Sequence, residues 1–110
     1  MVPMGQLRVD SARVPTGRVV AVEINEEDFV AWRGFDGVVR TGPRWCPHLD
    51  HDLADGYVDG DELVCAGHAW AFDGAGHTFK RNEFGRVDPK GEVPVLGTSE
   101  DDAMITFTSP

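Results

Sequence analysis

Residues 45–80, WCPHLDHDLADGYVDGDELVCAGHAWAFDGAGHTFK, contain both cysteines and all four histidines of the 110-residue chain. Two short pairs stand out in this stretch, Cys46-Pro47-His48 and Cys65-Ala66-Gly67-His68, and sixteen residues separate them. Each pair is short enough for one loop to bring both side chains to a single centre. Two thiolates and two imidazoles suit either a zinc ion or an iron–sulfur cluster. The stretch therefore predicts a four-ligand metal site.

The sequence around this stretch predicts an all-β fold. No window has the i, i+3, i+4, i+7 apolar spacing of an amphipathic helix, and thirteen glycines and seven prolines interrupt the chain. We expect one domain over residues 1–110, a small antiparallel sandwich or barrel with a ligand-carrying subdomain inserted at about residues 44–81. Strands are expected at 7–9, 18–24, 29–33, 38–41, 57–58, 63–64, 70–72, 77–79, 93–96 and 103–107, a polar crossing segment at 82–92 and an acidic turn at 99–102.

Charge and cysteine content narrow the classes of function. The net charge is -9, and no Lys or Arg lies between residues 45 and 79, where seven acids occur: Asp50, Asp52, Asp55, Asp59, Asp61, Glu62 and Asp73. This run is either a solvated acidic surface or a docking face for a basic partner. Nucleic acid is disfavoured because phosphate contacts need the opposite sign. With neither a membrane-length apolar run nor a signal pattern, we expect a cytoplasmic protein that does not enter membranes, with cysteines serving a metal.

The two ligand pairs resemble those of the Rieske family of iron–sulfur proteins. The segment GYVDGD at 56–61 looks like a hairpin of bacterial Rieske ferredoxins, and Trp70-x-Phe72-Asp73-x-x-Gly76 resembles a segment of Rieske ring-hydroxylating oxygenases. RVDPK at 86–90, VPV at 93–95 and ITF at 105–107 also look like the end of an oxygenase Rieske domain. The resemblance covers residues 14–108.

This resemblance implies a cofactor and a function. Cys46 and Cys65 would bind one iron of a Rieske-type 2Fe-2S cluster as thiolates, and His48 and His68 would bind the other iron from an exposed tip. The implied protein is a ferredoxin that carries one electron between a flavin-dependent reductase and a terminal oxygenase, without catalytic residues or a small-molecule substrate of its own. The alternative is a Rieske domain or small subunit of a multicomponent oxygenase or of a nitrite-reductase-like enzyme. A zinc-stabilised binding module remains a third interpretation.

Other residues of the stretch have competing interpretations. His51 and His77 with a nearby Asp would suit a mononuclear 2-His-1-carboxylate iron site, but surface or loop positions are the simpler interpretation. The aromatic residues are expected to pack in the core or to shield the cluster: Trp32, Trp45, Trp70, Phe72 and Phe79. Trp70 stands where the respiratory Rieske proteins have a serine that donates to cluster sulfur. Together with the nearby Asp50, this predicts a low reduction potential.

Overall fold

The computed structural model describes residues 5–47, 51–67, 70–81 and 87–109, and these form an almost entirely β structure. The strands are β1 Gln6–Asp10, β2 Val19–Ile24, β3 Glu27–Arg33, β4 Val39–Pro43, β5 Tyr57–Asp59, β6 Glu62–Val64, β7 Trp70–Phe72, β8 His77–Arg81, β9 Val87–Glu92, β10 Gly97–Asp101 and β11 Met104–Thr108. Short 3₁₀ turns occupy Ser11–Arg13 and Leu53–Asp55. No helix within the described ranges is long and apolar enough to cross a membrane.

The strands form three antiparallel sheets. An outer sheet has the order β1-β11-β10, a central sheet has the order β2-β3-β4, and a five-stranded sheet runs from β5 to β9 in chain order. The all-β antiparallel prediction is therefore confirmed. Sequential neighbours pair throughout the five-stranded sheet, and short hairpin signals in the sequence predicted its first four strands. Its fifth strand, β9, lies in the expected polar crossing segment, so that expectation is wrong for residues 87–92.

Strand β3 shows why the central sheet organises the fold. Its residues alternate between the two faces, and both faces are covered. Phe29 and Ala31 belong to a core cluster that also contains Ile105 of the outer sheet. Val30 and Trp32 belong to a second cluster, which they share with buried residues of the five-stranded sheet and with both cysteines. The uninterrupted apolar run FVAW is the sequence signature of a strand buried on both sides.

Arg33 joins the outer and central sheets. Its guanidinium donates to both carboxylate oxygens of Glu100 on β10, at 2.7 and 2.8 Å, and its Nε donates to the carbonyl of Val14 at 2.7 Å. The same side chain also donates to the carbonyls of Ser11 and Gly37. Arg33 is largely buried, with a side chain 12% exposed, so these acceptors replace most of its solvation. The Arg33–Glu100 contact therefore ties strand β10 of the outer sheet to strand β3 of the central sheet.

The C-terminal strands differ from the prediction. Residues 93–96 were expected to form a strand, but the strands are β9 and β10 on either side of them, so this prediction is wrong. Strand β9 includes Pro89, which a sheet tolerates at an edge, and the pairing register shifts between Thr78 and Phe79 opposite it. Every residue of β10 is exposed, so no hydrophobic alternation marks it in the sequence. The expected turn at 99–102 is instead the two-residue turn Asp102-Ala103.

Candidate metal centre

Both cysteines are buried at points where a strand of the scaffold ends. Cys46 is the third residue after β4 and is 0% exposed, and Cys65 directly follows β6 and is 2% exposed. The two thiols are not joined in a disulfide. They lie in the same apolar cluster as Trp32 and Phe72, between the central and five-stranded sheets. Burial without a disulfide keeps two sulfur donors away from solvent on the same side of the central sheet.

The two predicted ligand loops close in the same way. The Cys46 N–H donates to the carbonyl of His51, and the Cys65 N–H donates to the carbonyl of Trp70, both at 2.8 Å. Each cysteine therefore opens a loop that returns five residues later. A backbone bridge between Trp45 and Asp52 flanks the first loop, and the β6–β7 pairing flanks the second. Each Cys–His pair thus falls within one short loop whose two ends are joined by a backbone hydrogen bond.

The other two predicted ligands, His48 and His68, lie outside the described residues, as do Leu49, Asp50 and Ala69. The sequence puts His48 inside the first loop and His68 inside the second, between loop ends that the structure does describe. The donor set fits an iron–sulfur centre on its chemistry, because two buried thiols open two loops that each carry one imidazole.

A charge pair holds the base of the first loop, and the sequence analysis did not identify it. Arg44 Nη2 lies 3.0 Å from Asp52 Oδ2, and this bonding lowers the pKa of Asp52. Asp52 Oδ1 also accepts from the N–H of Ala54 at 2.9 Å, which starts the 3₁₀ turn. The Leu53 N–H donates to the carbonyl of Arg44 at 2.6 Å. The sequence signal for this pair was the presence of opposite charges, Arg44 and Asp52, just before and just after the first ligand loop.

The remaining histidines have separate surroundings. His77 is exposed in the β7–β8 hairpin, and its Nδ1 lies 2.9 Å from Asp73 Oδ2. His51 is also exposed, but its ring lies against Gly67 of the second loop. Among the described residues, no group of three His, Cys, Asp or Glu side chains is arranged to hold a metal ion. The mononuclear iron alternative therefore finds no support in the described part of the chain.

The acidic run is less open than its sequence indicates, because arginines from flanking strands pair with it. Arg81 at the end of β8 contacts both Asp59 and Glu62, and Arg40 on β4 lies 3.7 Å from Asp61. Both arginines lie outside residues 45–79, so their pairing with the acids could not be seen from the sequence of that stretch alone. The hypothesis of a strongly negative docking face is correspondingly weakened.

The five aromatic residues of the prediction differ in burial. Trp32 and Phe72 are buried, as expected for core residues, and Trp70 and Phe79 are partly buried. Trp45 is 49% exposed, so the prediction of a core position is wrong for this residue. Its backbone is held beside Asp52, while the guanidinium of Arg44 stacks 5.4 Å from its ring centre. The cation stabilises the indole at the surface next to Cys46.

Comparison with known proteins identifies the domain. A family model described as the Rieske [2Fe-2S] domain matches residues 6–93. The oxygenase subunit of 5,5'-dehydrodivanillate O-demethylase from Sphingobium sp. (strain NBRC 103272 / SYK-6) is 34% identical over 70 residues, which are 64% of this chain and 16% of that subunit. This chain therefore spans about a sixth of the length of that curated relative.

Two solved structures illustrate the range of similar folds. The Sphingomonas yanoikuyae B1 ferredoxin superposes with a TM-score of 0.69 at 25% identity, covering 96% of this chain and 99% of the ferredoxin. Dicamba monooxygenase superposes with a TM-score of 0.78 at 25% identity, covering 93% of this chain and 32% of the enzyme. The same fold thus occurs as a small ferredoxin and as one part of a larger oxygenase.

Proposed function

The chain belongs to the Rieske [2Fe-2S] domain family, whose cofactor is a Rieske-type 2Fe-2S cluster, and on this basis we propose that it is a ferredoxin. It carries one electron at a time from a flavin-dependent reductase to a terminal oxygenase. The observation that carries the proposal is the match to a ferredoxin along 99% of that ferredoxin's length. We place this activity in the cytoplasm, where thiols remain reduced and available to a metal.

The proposed ligands are Cys46 and Cys65 for one iron and His48 and His68 for the other. The cluster supplies a centre that accepts and releases a single electron. The protein supplies two thiols that the core shields from solvent, and two loops closed by backbone hydrogen bonds. The Arg44–Asp52 pair keeps the ends of the first loop together, so that little chain entropy is lost when the ligands engage.

A second candidate function is supported by the curated relative. That protein is an oxygenase subunit, and this chain matches only a sixth of it. The chain would then act as a Rieske domain or small subunit that passes electrons to a catalytic site on another domain or chain. Both candidates assign the same electron-transfer chemistry to the same four residues.

Purification after expression with iron, followed by iron and acid-labile sulfide analysis, tests the cluster directly. We expect equal iron and sulfide, a coloured protein and the rhombic EPR signal of a reduced Rieske centre. Cys46→Ser and His48→Ala should each abolish that signal, whereas His77→Ala serves as the matched control and should retain it. A colourless protein containing one zinc ion would contradict the electron-transfer function.

A second experiment separates the carrier from the subunit. The purified holoprotein is mixed with a flavin-dependent ferredoxin reductase and reduced pyridine nucleotide, and cluster reduction is followed by visible absorbance. Reversible reduction of a protein that purifies without a larger iron-containing chain supports the ferredoxin. Stable co-purification with such a chain supports the subunit instead.

A further inference from the structure

His51 contacts both ligand loops, although it belongs to neither Cys–His pair. Its backbone carbonyl accepts the hydrogen bond that closes the first loop on Cys46. Its imidazole lies against Gly67, which stands between Cys65 and His68 in the second loop. Thirteen residues lie between His51 and Cys65 along the chain, so this contact arises from the fold.

The ring occupies the space that a side chain at position 67 would need. A Cβ built on Gly67 would lie 2.7 Å from Cε1 of His51, 2.8 Å from Nδ1 and 3.0 Å from Nε2. Ordinary van der Waals contacts begin at 3.4 Å. A methyl group at position 67 would therefore require the His51 ring to move, which shows how closely the ring is packed against the glycine.

This close packing is specific to the contact between the loops. The φ angle of Gly67 is not positive, so its backbone lies outside the left-handed region that favours glycine. The space for a side chain at this position is therefore limited by the His51 ring and not by the backbone conformation. By contrast, an added Cβ on Gly97 would find its nearest neighbour at 3.5 Å, which is an ordinary contact.

We propose that His51 is a positioning residue that sets the distance between the two ligand loops. The inference rests on the proposed function, because the loops are taken to hold the cluster. His51 acts as a spacer: its backbone carbonyl accepts from the Cys46 N–H on one side, and its imidazole packs against Gly67 on the other. Removing the ring leaves the second loop without this support, and adding a side chain at position 67 pushes the ring toward the first loop.

Five chains test the proposal: the unaltered holoprotein, His51→Ala, Gly67→Ala, Gly67→Phe and the double variant His51→Ala with Gly67→Phe, so that both single substitutions of the double variant are measured separately. The double variant removes the ring at position 51 and puts a phenylalanine ring at position 67 of the second loop, where it can fill the same space. Because phenylalanine cannot bind iron, any recovery comes from packing and not from ligation. Two matched controls use the same residue types elsewhere, His77→Ala and Gly97→Ala. The readouts are the rate at which an iron chelator bleaches the visible spectrum, the midpoint potential, the reduced EPR signal and thermal unfolding.

We expect each single variant to lose its cluster about tenfold faster or more, which corresponds to about 1.4 kcal/mol. Their EPR signals should broaden or shift, since the geometry at the ligands changes. The double variant should release the cluster more slowly than either single variant. Both controls should match the unaltered protein.

Three outcomes overturn the proposal: single variants that bleach no faster than the controls, an unchanged EPR signal, or a double variant whose losses simply add. An unaltered protein that assembles no iron and sulfide contradicts the proposed function instead. In that case the coupling of positions 51 and 67 in thermal unfolding still decides the role of His51 as a spacer, because a double variant no more stable than the singles would refute it.

Discussion

The Arg33–Glu100 contact allows a quantitative test of how the scaffold is held together. Replacing Arg33 with Met keeps the apolar stem but removes a guanidinium that donates to Glu100 and to three backbone carbonyls. Hydrogen bonds with charged groups contribute about 1.5–3 kcal/mol. Without the guanidinium, the Glu100 carboxylate, whose side chain is 30% exposed, has water in place of Arg33. We expect Arg33→Met to lower the free energy of unfolding by about 3 kcal/mol, most of it from this loss.

A double-mutant cycle with Glu100→Gln isolates the pair. Because both oxygens of the carboxylate are bonded to one guanidinium, we expect a coupling energy of about 2 kcal/mol from urea unfolding at neutral pH. The visible spectrum of each variant should be unchanged before unfolding, since the contact joins the outer and central sheets and not the ligand loops. A coupling energy below about 0.5 kcal/mol would refute the reasoning, since exposed pairs have that value.

The same pair predicts a pH dependence with a defined sign. Hydrogen bonding to Arg33 lowers the pKa of Glu100 from 4.5 to about 2. A carboxyl whose pKa is lowered in the folded state contributes fully above pH 4.5, and the contribution disappears as the pH falls to about 2. The stability difference between the unaltered protein and Glu100→Gln should therefore be smaller at about pH 3 than at about pH 7. A difference that stays constant would show that the pair does not perturb this titration.

Three further predictions concern other parts of the fold. Ala103 has a φ of 63° in the β10–β11 turn, so Ala103→Gly should raise the free energy of unfolding by about 0.5–1 kcal/mol, and an unchanged or lower melting temperature would contradict this. Trp32 is fully buried and donates to the Asp61 carbonyl at 3.0 Å, so Trp32→Phe should cost about 2 kcal/mol in urea unfolding, a loss that a surface control such as Phe35→Leu should not reproduce. The reduction potential should lie in the lower part of the range of about -150 to +300 mV by protein-film voltammetry, and a value above about +100 mV would argue against the role given to Trp70.

Local patterns were sufficient to predict much of the fold. Strand β3 was recognisable from its apolar run, and the hairpins around Gly37 and Gly60 were recognisable from Asp-Gly pairs. The wrong assignments fall where tertiary contacts override local sequence. Strand β10 has five exposed residues, and its position follows from pairing with β11 and from the Glu100 contact. Neither partner can be inferred from the GTSED segment itself.

The candidate site was predictable in its chemistry but not in its supports. The spacing of the two Cys–His pairs predicted Cys46 and Cys65 as ligands, and the structure shows that both side chains are buried. The support from His51 depends on contact between its ring and Gly67 in the other loop. Such a contact between distant residues cannot be predicted from the hydrophobic periodicity of the sequence. The exposure of Trp45 was missed for a related reason, since its packing depends on the position of the Arg44 guanidinium.

The double-sided burial of β3 also bears on how the protein can vary. In a strand with one solvent-exposed face, every second residue can be substituted with little loss of stability. In β3 both faces are buried, and four consecutive residues are at most 3% exposed: Phe29, Val30, Ala31 and Trp32. In a saturation mutagenesis library selected for coloured protein, these four consecutive positions should form the longest intolerant block in the scaffold. The exposed strand β10 should accept most substitutions apart from those at Glu100. New surface properties would then arise mainly in the outer sheet, while strand β3 at the centre of the fold remains nearly fixed.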